Sequence, residues 1–339
     1  MIVLGIETSC DECSVAVVED GTKILSNVIA TQSEQHAAYS GVVPEIASRT
    51  HTEWIMGVYR EALERSGKTR VEIDGIAVTC RPGLSGSLVV GLSFAKGLSL
   101  ALGVPFVGVD HILAHLYAVQ LEHAVPYPFL GVLVSGGHTM LAVVKSYDDV
   151  EVLGTTIDDA CGEAFDKIAK HFDMGYPGGS AIDSLARRGA GDAYSFPKPS
   201  LHKGDHRYDV SYSGLKTAVV HHLEKYLNAG FEPTRENIAA AFEKTAVEIL
   251  MTRVERALRD FRFERVVAGG GVAANTYFRS RMLELTGGAR TSVFFPSLEL
   301  CTDNAAMVAG IGYHYLREKK HSSDSLDVSA RVAVFRGRE

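Results

Sequence analysis

The chain lacks an uninterrupted apolar run of the ~18 residues that a membrane-spanning helix needs. Its longest apolar stretch, Leu88 to Val104, is broken by Lys96 and by repeated Gly and Ser. Cysteine is scarce and scattered: Cys10, Cys13, Cys80, Cys161 and Cys301 make five, an odd number, in 339 residues. That excludes a small disulfide scaffold and predicts reduced thiols. There is no excess of positive charge either, with 34 Lys+Arg against 41 Asp+Glu and a net charge of −7. Long nucleic acid cannot be coated by such a chain through charge alone, so an RNA ligand would need a local basic patch or a partner. No basic region precedes the first strand-like run, Ile2 to Ile6, and no small-residue cleavage site follows it. That pattern predicts a cytoplasmic chain with no membrane association. Low-complexity tracts and obvious linkers are absent as well.

What is present is an ordinary globular composition, 46% hydrophobic, long enough for about two domains. Short β-branched runs alternate with amphipathic stretches throughout, which is the pattern of an α/β chain with mixed or parallel sheets. Gly75–Val78, Phe106–Val109, Phe129–Val134 and Arg265–Val267 read as strands, and Thr234 to Phe261 reads as one long helix or a broken pair. Compared with itself at an offset of 126, the chain repeats: Leu4, Gly5, Ser9, Ala16, Val17 and Val18 recur as Leu130, Gly131, Ser135, Ala142, Val143 and Val144. Both segments read as strand, polar turn, strand, so two similar halves are expected, with a ligand in a cleft where their strand-end turns converge.

Three polar turns follow apolar strands: Glu7–Glu12, Ser135-Gly136-Gly137-His138-Thr139, and Gly269 to Asn275. Backbone N–H groups in such turns can cradle phosphate. None is followed by the Gly-Lys-Ser/Thr of a Walker A loop, and Ala273 and Ala274 spoil a Gly-x-Gly-x-x-Gly match. Each is equally an ordinary tight turn; together they point to a nucleotide-type ligand. His111 and His115 stand at i, i+4, which puts both imidazoles on one helix face, as a shared metal requires. Pairs at this spacing also arise as surface histidines, and His202/His206 is another. A carboxylate would complete a two-His, one-carboxylate set, and Asp303 stands just before a small-residue helix, Ala305 to Gly312.

Asp158, Asp159, Glu163 and Asp166 crowd one segment. If it is helical, Asp159, Glu163 and Asp166 share a face, which is either a solvated surface or, with Gly178-Gly179 and Asp183 following, a sugar-binding edge. Cys10-x-x-Cys13 has no second pair and sits beside a turn between strands, which does not suit a thioredoxin-like role. Between Lys198 and Lys216, Lys203 and Arg207 add positive charge beside Tyr208 and Tyr212. These four cations could contact RNA phosphates or simply decorate a solvated loop.

In order along the chain, Gly5–Glu12, Pro44–His51, Pro82-Gly83-Leu84, His111–His115, Leu133–Thr139, Asp158–Lys167, Tyr176–Gly179, Ser211–Thr217, Gly269–Asn275 and Cys301–Asn304 resemble the tRNA N6-adenosine threonylcarbamoyltransferase family, in its bacterial branch. The family was formerly described as a sialoglycoprotease. The resemblance implies an α/β, duplicated actin-like or Hsp70-like (ribonuclease H-like) two-lobed fold with a nucleotide cleft between the lobes. One lobe would span 1–125 plus about 304–339 and the other 126–303. It implies transfer of the threonylcarbamoyl group from L-threonylcarbamoyl-adenylate to N6 of adenosine 37 in tRNAs reading ANN codons, with release of AMP. His111, His115 and Asp303 would hold one divalent metal, iron or zinc. Leu133, Val134, Ser135, Gly136, Gly137, Asp166, Gly179, Asp183 and Asn275 would hold the adenylate. Implied partners are tRNA, an inactive paralogue of the same fold and a small P-loop ATPase, with a homodimer as a further arrangement. Acyl transfer to a weakly nucleophilic amine also needs a proton acceptor, and Glu12, Asp11 or His138 could serve; the sequence does not choose. Tyr212 departs from the family, where Phe is common. Two rivals are a sugar or acetate kinase of the same fold and a metalloprotease, but Ile112 and Leu113 follow His111 where the protease signature needs Glu.

Overall fold

A computed structural model describes residues 1–39, 41–199, 206–287 and 291–331. The chain divides into two compact units, Met1–Val125 with Pro296–Val334, and Pro126–Phe295. Residues from Pro296 onward group with the N-terminal residues, Asp303 among them.

The first unit is built on β1 (Ile2–Glu7), β2 (Glu12–Glu19), β3 (Lys23–Thr31), α1 (Ser33–Ala37), α2 (Pro44–Ser66), β4 (Gly75–Arg81), α3 (Ser85–Leu102), β5 (Phe106–Asp110) and α4 (His111–Tyr117). The second contains β6 (Phe129–Val134), β7 (Thr139–Val144), β8 (Val150–Thr155), α5 (Cys161–His171), α6 (Gly178–Ala186), α7 (Ser213–His221), α8 (Arg235–Phe261), β9 (Arg265–Gly269), α9 (Thr276–Thr286) and β10 (Ser292–Phe294). The chain then adds α10 (Leu298–Cys301) and α11 (Ala305–Arg317) to the first unit.

Each unit has one five-stranded mixed sheet, ordered β3-β2-β1-β4-β5 in the first and β8-β7-β6-β9-β10 in the second. In both, a hairpin supplies the antiparallel pairs and the last two strands join in parallel. Leu4 pairs with Val17, and Leu130 with Val143, so the hairpin register survives the 126-residue offset residue for residue. A one-residue slip would turn the buried face of a strand outward, which makes register a sensitive marker of duplication. The central strands β1 and β6 are buried along their whole length, as expected of strands covered on both faces.

α11 shows how closely a helix can lie on such a sheet. It packs over β1, β2 and β4 with Ala305, Ala306, Met307, Val308, Ala309 and Ile311 buried. Gly5 permits this approach, since a Cβ there would stand 2.2 Å from the Ala305 carbonyl oxygen. The first core gathers Leu4, Ile6, Val15 and Val17 with Ile55, Val58 and Tyr59 of α2 and Ile76 and Val78 of β4. By length and composition α3 alone among the described helices is long and apolar enough to cross a membrane; the expectation from Lys96 and the interspersed Gly and Ser was that no stretch would be. In this fold Leu88, Gly91, Leu92 and Ala95 of α3 are buried, and the helix packs on α2 and β4.

Candidate functional site

In the first unit, β5 ends at Asp110, whose carboxylate accepts from the N–H groups of Ile112 and Leu113 and so starts α4 at His111. An Asp in this position satisfies two otherwise unpartnered helix donors. One turn later comes His115, its ring 4.5 Å from that of His111 between centroids. From the other end of the chain, Asn304 caps α11 by accepting from Met307 N, and the Ala305 N–H donates to Ser14 Oγ on β2 at 2.9 Å. Those two anchors place Asp303 Oδ1 3.0 Å from His115 Nε2 and 3.5 Å from His111 Nε2. One ligand atom from each of the three residues lies within 4.8 Å of the others. Both histidines are buried and Asp303 is partly exposed.

Acidic groups surround this triad. Glu7, fully buried at the end of β1, contacts His111 Nδ1 at 3.1 Å. Glu12 is half-buried, and burial, then Asp303 and Asp11, hold its pKa well above the usual carboxylate range. Burial opposes charge on His111, yet the carboxylates of Asp303 and Glu7 prevail and raise it to about 9. His115 moves the other way, lowered by burial and then by its neighbour His111. The acidic cluster of Glu7, Glu12 and Asp303 thus favours positive charge on or beside His111, which a proton or a divalent cation can supply. The donor set, two imidazoles and a carboxylate with positions left open, suits iron or zinc. The turn bearing Asp11 and Glu12 is held in place from behind: the Cys10 carbonyl accepts from His51 Nε2 at 2.9 Å, and the Asp11 carbonyl accepts from Gln32 N at 3.1 Å.

In the second unit the matching turn has no acid. Ser135 N donates to the His138 carbonyl, and His138 N donates to Ser135 Oγ. Gly136 and Gly137 are exposed, and a Cβ on either would meet nothing within 4 Å. The start of α5 comes up against this turn through Gly162 N to the Ser135 carbonyl. Gly270, at φ +89, closes from the β9 side, where a Cβ would stand 2.5 Å from the Val134 carbonyl oxygen. Only glycine tolerates both that dihedral and that contact. Leu133 and Val134 themselves are buried strand residues that can offer only backbone.

The other residues expected to hold an adenylate lie in the same unit. Asp166 Oδ1 accepts from Gly178 N at the start of α6, beside Gly179, which faces open space. Asp183 accepts from the N–H and hydroxyl of Thr276 and pairs with Arg187. Asn275 is largely committed already: its Oδ1 caps α9 through Phe278 N and its Nδ2 donates to Glu243 Oε1 at 2.6 Å. Burial pushes Glu243 up to about 7. The Ser135 turn and the Gly270–Asn275 turn follow the carboxyl ends of the parallel pair β6 and β9, where open α/β sheets bind ligands.

Other expected residues have different surroundings. Asp158 and Asp159 precede α5 and so do not share its face: Asp158 gathers Ser211 Oγ, Ser213 Oγ and Tyr212 N. Asp159 pairs with Lys167 and Lys216. Arg207 is paired with Asp260 at 2.9 Å, Lys198 is exposed, and Lys203 lies outside the described residues, as does His202. Two of the four RNA-contact candidates are thus already engaged by carboxylates. Sequence reading did not single out Glu7, Thr79 or Glu243, since each is recognisable only by what it touches.

Comparison with known proteins adds the following. The family model described as "TsaD: tRNA N6-adenosine threonylcarbamoyltransferase" matches residues 23–310. A tRNA N6-adenosine threonylcarbamoyltransferase of Treponema denticola is 56% identical over 335 residues, covering 99% of this chain and 98% of its own. One from Borreliella burgdorferi is 50% identical over 336 residues, covering 99% and 96%. Among solved structures, full-length HypF in its phosphate- and nucleotide-bound form superposes with a TM-score of 0.64 at 16% identity, over 95% of this chain and 47% of that one. Component A of the Acidaminococcus fermentans (R)-2-hydroxyglutaryl-CoA dehydratase gives 0.56 at 14%, over 94% and 99%. At these identities the likeness is one of fold, the actin-like α/β fold.

Proposed function

Because the chain belongs to the tRNA N6-adenosine threonylcarbamoyltransferase family and is a transferase of that activity, we propose how its residues divide the work. The donor is L-threonylcarbamoyl-adenylate and the acceptor is N6 of adenosine 37 in tRNAs reading codons that begin with A. N6 attacks the carbamoyl carbon, the bond from that carbon to the phosphate oxygen breaks, AMP leaves, and one proton is lost from N6. The observation that carries this reading is the convergence of His111, His115 and Asp303.

His111, His115 and Asp303 would hold a divalent ion, iron or zinc, which would supply Lewis-acid stabilisation where negative charge develops. The second unit holds the adenylate: Ser135 to Gly137 present backbone N–H groups to the phosphate, Leu133 and Val134 support that turn, and Asp166, Gly179, Asp183 and Asn275 shape the nucleoside site. Glu12, Asp11 and His138 are the candidate acceptors of the N6 proton: burial, then Asp303 and Asp11, raise Glu12 above the usual carboxylate range, Asp11 stands beside it on the same turn, and His138 is partly exposed in the second unit. Lys198, Lys203, Arg207 and Lys216 contribute at most a minor share of tRNA contact, given the ion pairs of Arg207 and Lys216. With a net charge of −7, the chain relies for tRNA affinity on an inactive paralogue of its own fold and a small P-loop ATPase, or on a second copy of itself, in the cytoplasm where tRNA is modified.

The test is a transfer assay with threonylcarbamoyl-adenylate, unmodified tRNA bearing U36 and A37, and the partner proteins, read by mass spectrometry of digested tRNA. Wild type should form threonylcarbamoyladenosine, and the double variant His111→Ala/His115→Ala should form none. Product from both would remove the metal triad from the mechanism; product from neither, with substrate intact, would overturn the transferase reading.

A further inference from the structure

Glu7 ends β1 with a side chain fully shielded from solvent, and three donors converge on its carboxylate. Ser9 N donates to Oε1 at 2.6 Å, Thr79 Oγ1 donates to Oε2 at 2.6 Å, and His111 Nδ1 stands 3.1 Å from Oε2. We infer that Glu7 is the positioning residue of the metal triad: it fixes His111 in the Nδ1–H tautomer, so that the Nε2 lone pair is presented toward Asp303 and His115. The inference rests on the metal reading above.

The argument is one of proton bookkeeping. A carboxylate that already receives an amide and a hydroxyl can only accept, so the imidazole nitrogen facing it must carry the proton. Neutral imidazole has one such proton, and the other nitrogen then keeps the lone pair that a cation needs. The opposite tautomer is also within reach here. Ser9 Oγ lies 3.2 Å from the same Nδ1, and a hydroxyl can donate as well as accept. Were Ser9 to donate, the proton would move to Nε2 and block the ligand position 3.5 Å from Asp303 Oδ1. Glu7 decides between the two, and the Ser9 amide and Thr79 hydroxyl prevent its carboxylate from turning away. His115 has no such guide among the described residues, where its Nδ1 is buried without a hydrogen-bond partner. The preference of the site therefore rests on His111.

The experiment measures Zn²⁺ affinity of the full chain by competition with a chromophoric chelator, and the visible spectrum with Co²⁺, for wild type, Glu7→Gln, Ser9→Ala/Glu7→Gln, Thr79→Val and His115→Ala. An amide offers one acceptor and one NH₂ to three donors, so Glu7→Gln favours the wrong tautomer. It should bind Zn²⁺ about 10–100-fold more weakly, the usual cost of losing a hydrogen-bond partner behind a ligand, while the metal-free protein melts close to wild type. Adding Ser9→Ala removes the competing donor and should restore part of that affinity, which a merely structural role would not predict. If Glu7→Gln does not fold, Thr79→Val decides: loosening the carboxylate without touching His111 should cost about 3–10-fold. Zn²⁺ affinity within about twofold of wild type in both Glu7→Gln and Thr79→Val, with His115→Ala abolishing it, overturns the role of Glu7 and leaves the metal reading intact. A wild-type chain that takes up no Zn²⁺ overturns both.

Discussion

The turn between β1 and β2 carries Glu7, Asp11 and Glu12, whereas its counterpart between β6 and β7, 126 residues on, carries Ser135, Gly136 and Gly137 and no acid. The two hairpins share strand order and register, so backbone geometry does not explain the difference in what they attract. Side-chain charge does. Carboxylates around two buried imidazoles concentrate negative potential and call for a cation, while a glycine turn facing open space exposes N–H dipoles that call for an anion. Under the proposed function, the duplicated fold divides into a cation-binding half and an anion-binding half that differ by a few residues at equivalent positions.

The most severe way to break this comparison is to remove a ligand from the first half and ask whether the second notices. Asp303→Ala should lower Zn²⁺ affinity by about 100-fold, roughly one ligand's share of a zinc site, and lower transfer at least as much. AMP binding measured by calorimetry should stay unchanged if the Ser135 turn holds the phosphate through its own N–H groups without help from the ion. Equal losses of Zn²⁺ and AMP affinity would show that the halves are not electrostatically independent.

Each unit also buries a carboxylate against a candidate ligand residue, Glu7 beside His111 and Glu243 beside Asn275, and the pair can be sharpened against each other. Glu7 has three donors and stays below the usual carboxylate range: burial works against it, but His111 and Thr79 outweigh burial. Glu243 accepts from Asn275 Nδ2 and is pushed by burial up to about 7. A carboxyl whose pKa is raised on folding stabilises the fold fully below its unfolded value, 4.5, and loses that contribution as pH climbs through about 7. From pH 5.5 to 8.5 the loss amounts to about 2 kcal/mol. Glu243→Gln keeps an acceptor for Asn275 Nδ2 and does not titrate, so urea unfolding of the variant should lack that part of the pH slope. The same slope in both proteins would mean Glu243 is ionised in the fold at neutral pH.

How much of this was legible in the sequence depends on distance along the chain. The repeat offset was visible because both hairpins kept six identical residues in fifteen positions, and the same offset governs the strand pairing. Strands β4, β5, β6 and β9 and the long helix α8, begun by Thr234 accepting from Asn237 N, follow from local periodicity and capping. The histidine pair was readable from its one-turn spacing, and Asp303 from its place before a helix. Glu7 was not, since its partners Thr79 and His111 lie 72 and 104 residues away and no pattern joins them. The face expected to join Asp159 with Glu163 and Asp166 does not form as expected, because charge spacing does not reveal that α5 starts only at Cys161. Asp158 instead anchors the start of α7, more than fifty residues on.

The mildest change tests the comparison most directly, by giving the second turn the charge of the first. Gly137 is the equivalent of Asp11 at the repeat offset, and a Cβ there meets nothing within 4 Å. Gly137→Asp therefore adds a carboxylate without a clash, and a unit charge close to a phosphate on a partly solvated surface should weaken AMP binding by about tenfold. Gly137→Ala adds the same Cβ without charge and should shift AMP affinity by no more than about twofold. Raising the salt concentration should recover much of the loss in the aspartate variant and none in the alanine variant, since exposed charges are screened. If alanine weakens AMP binding as much as aspartate does, the turn recognises its ligand by shape, and the difference between the two halves is steric before it is electrostatic.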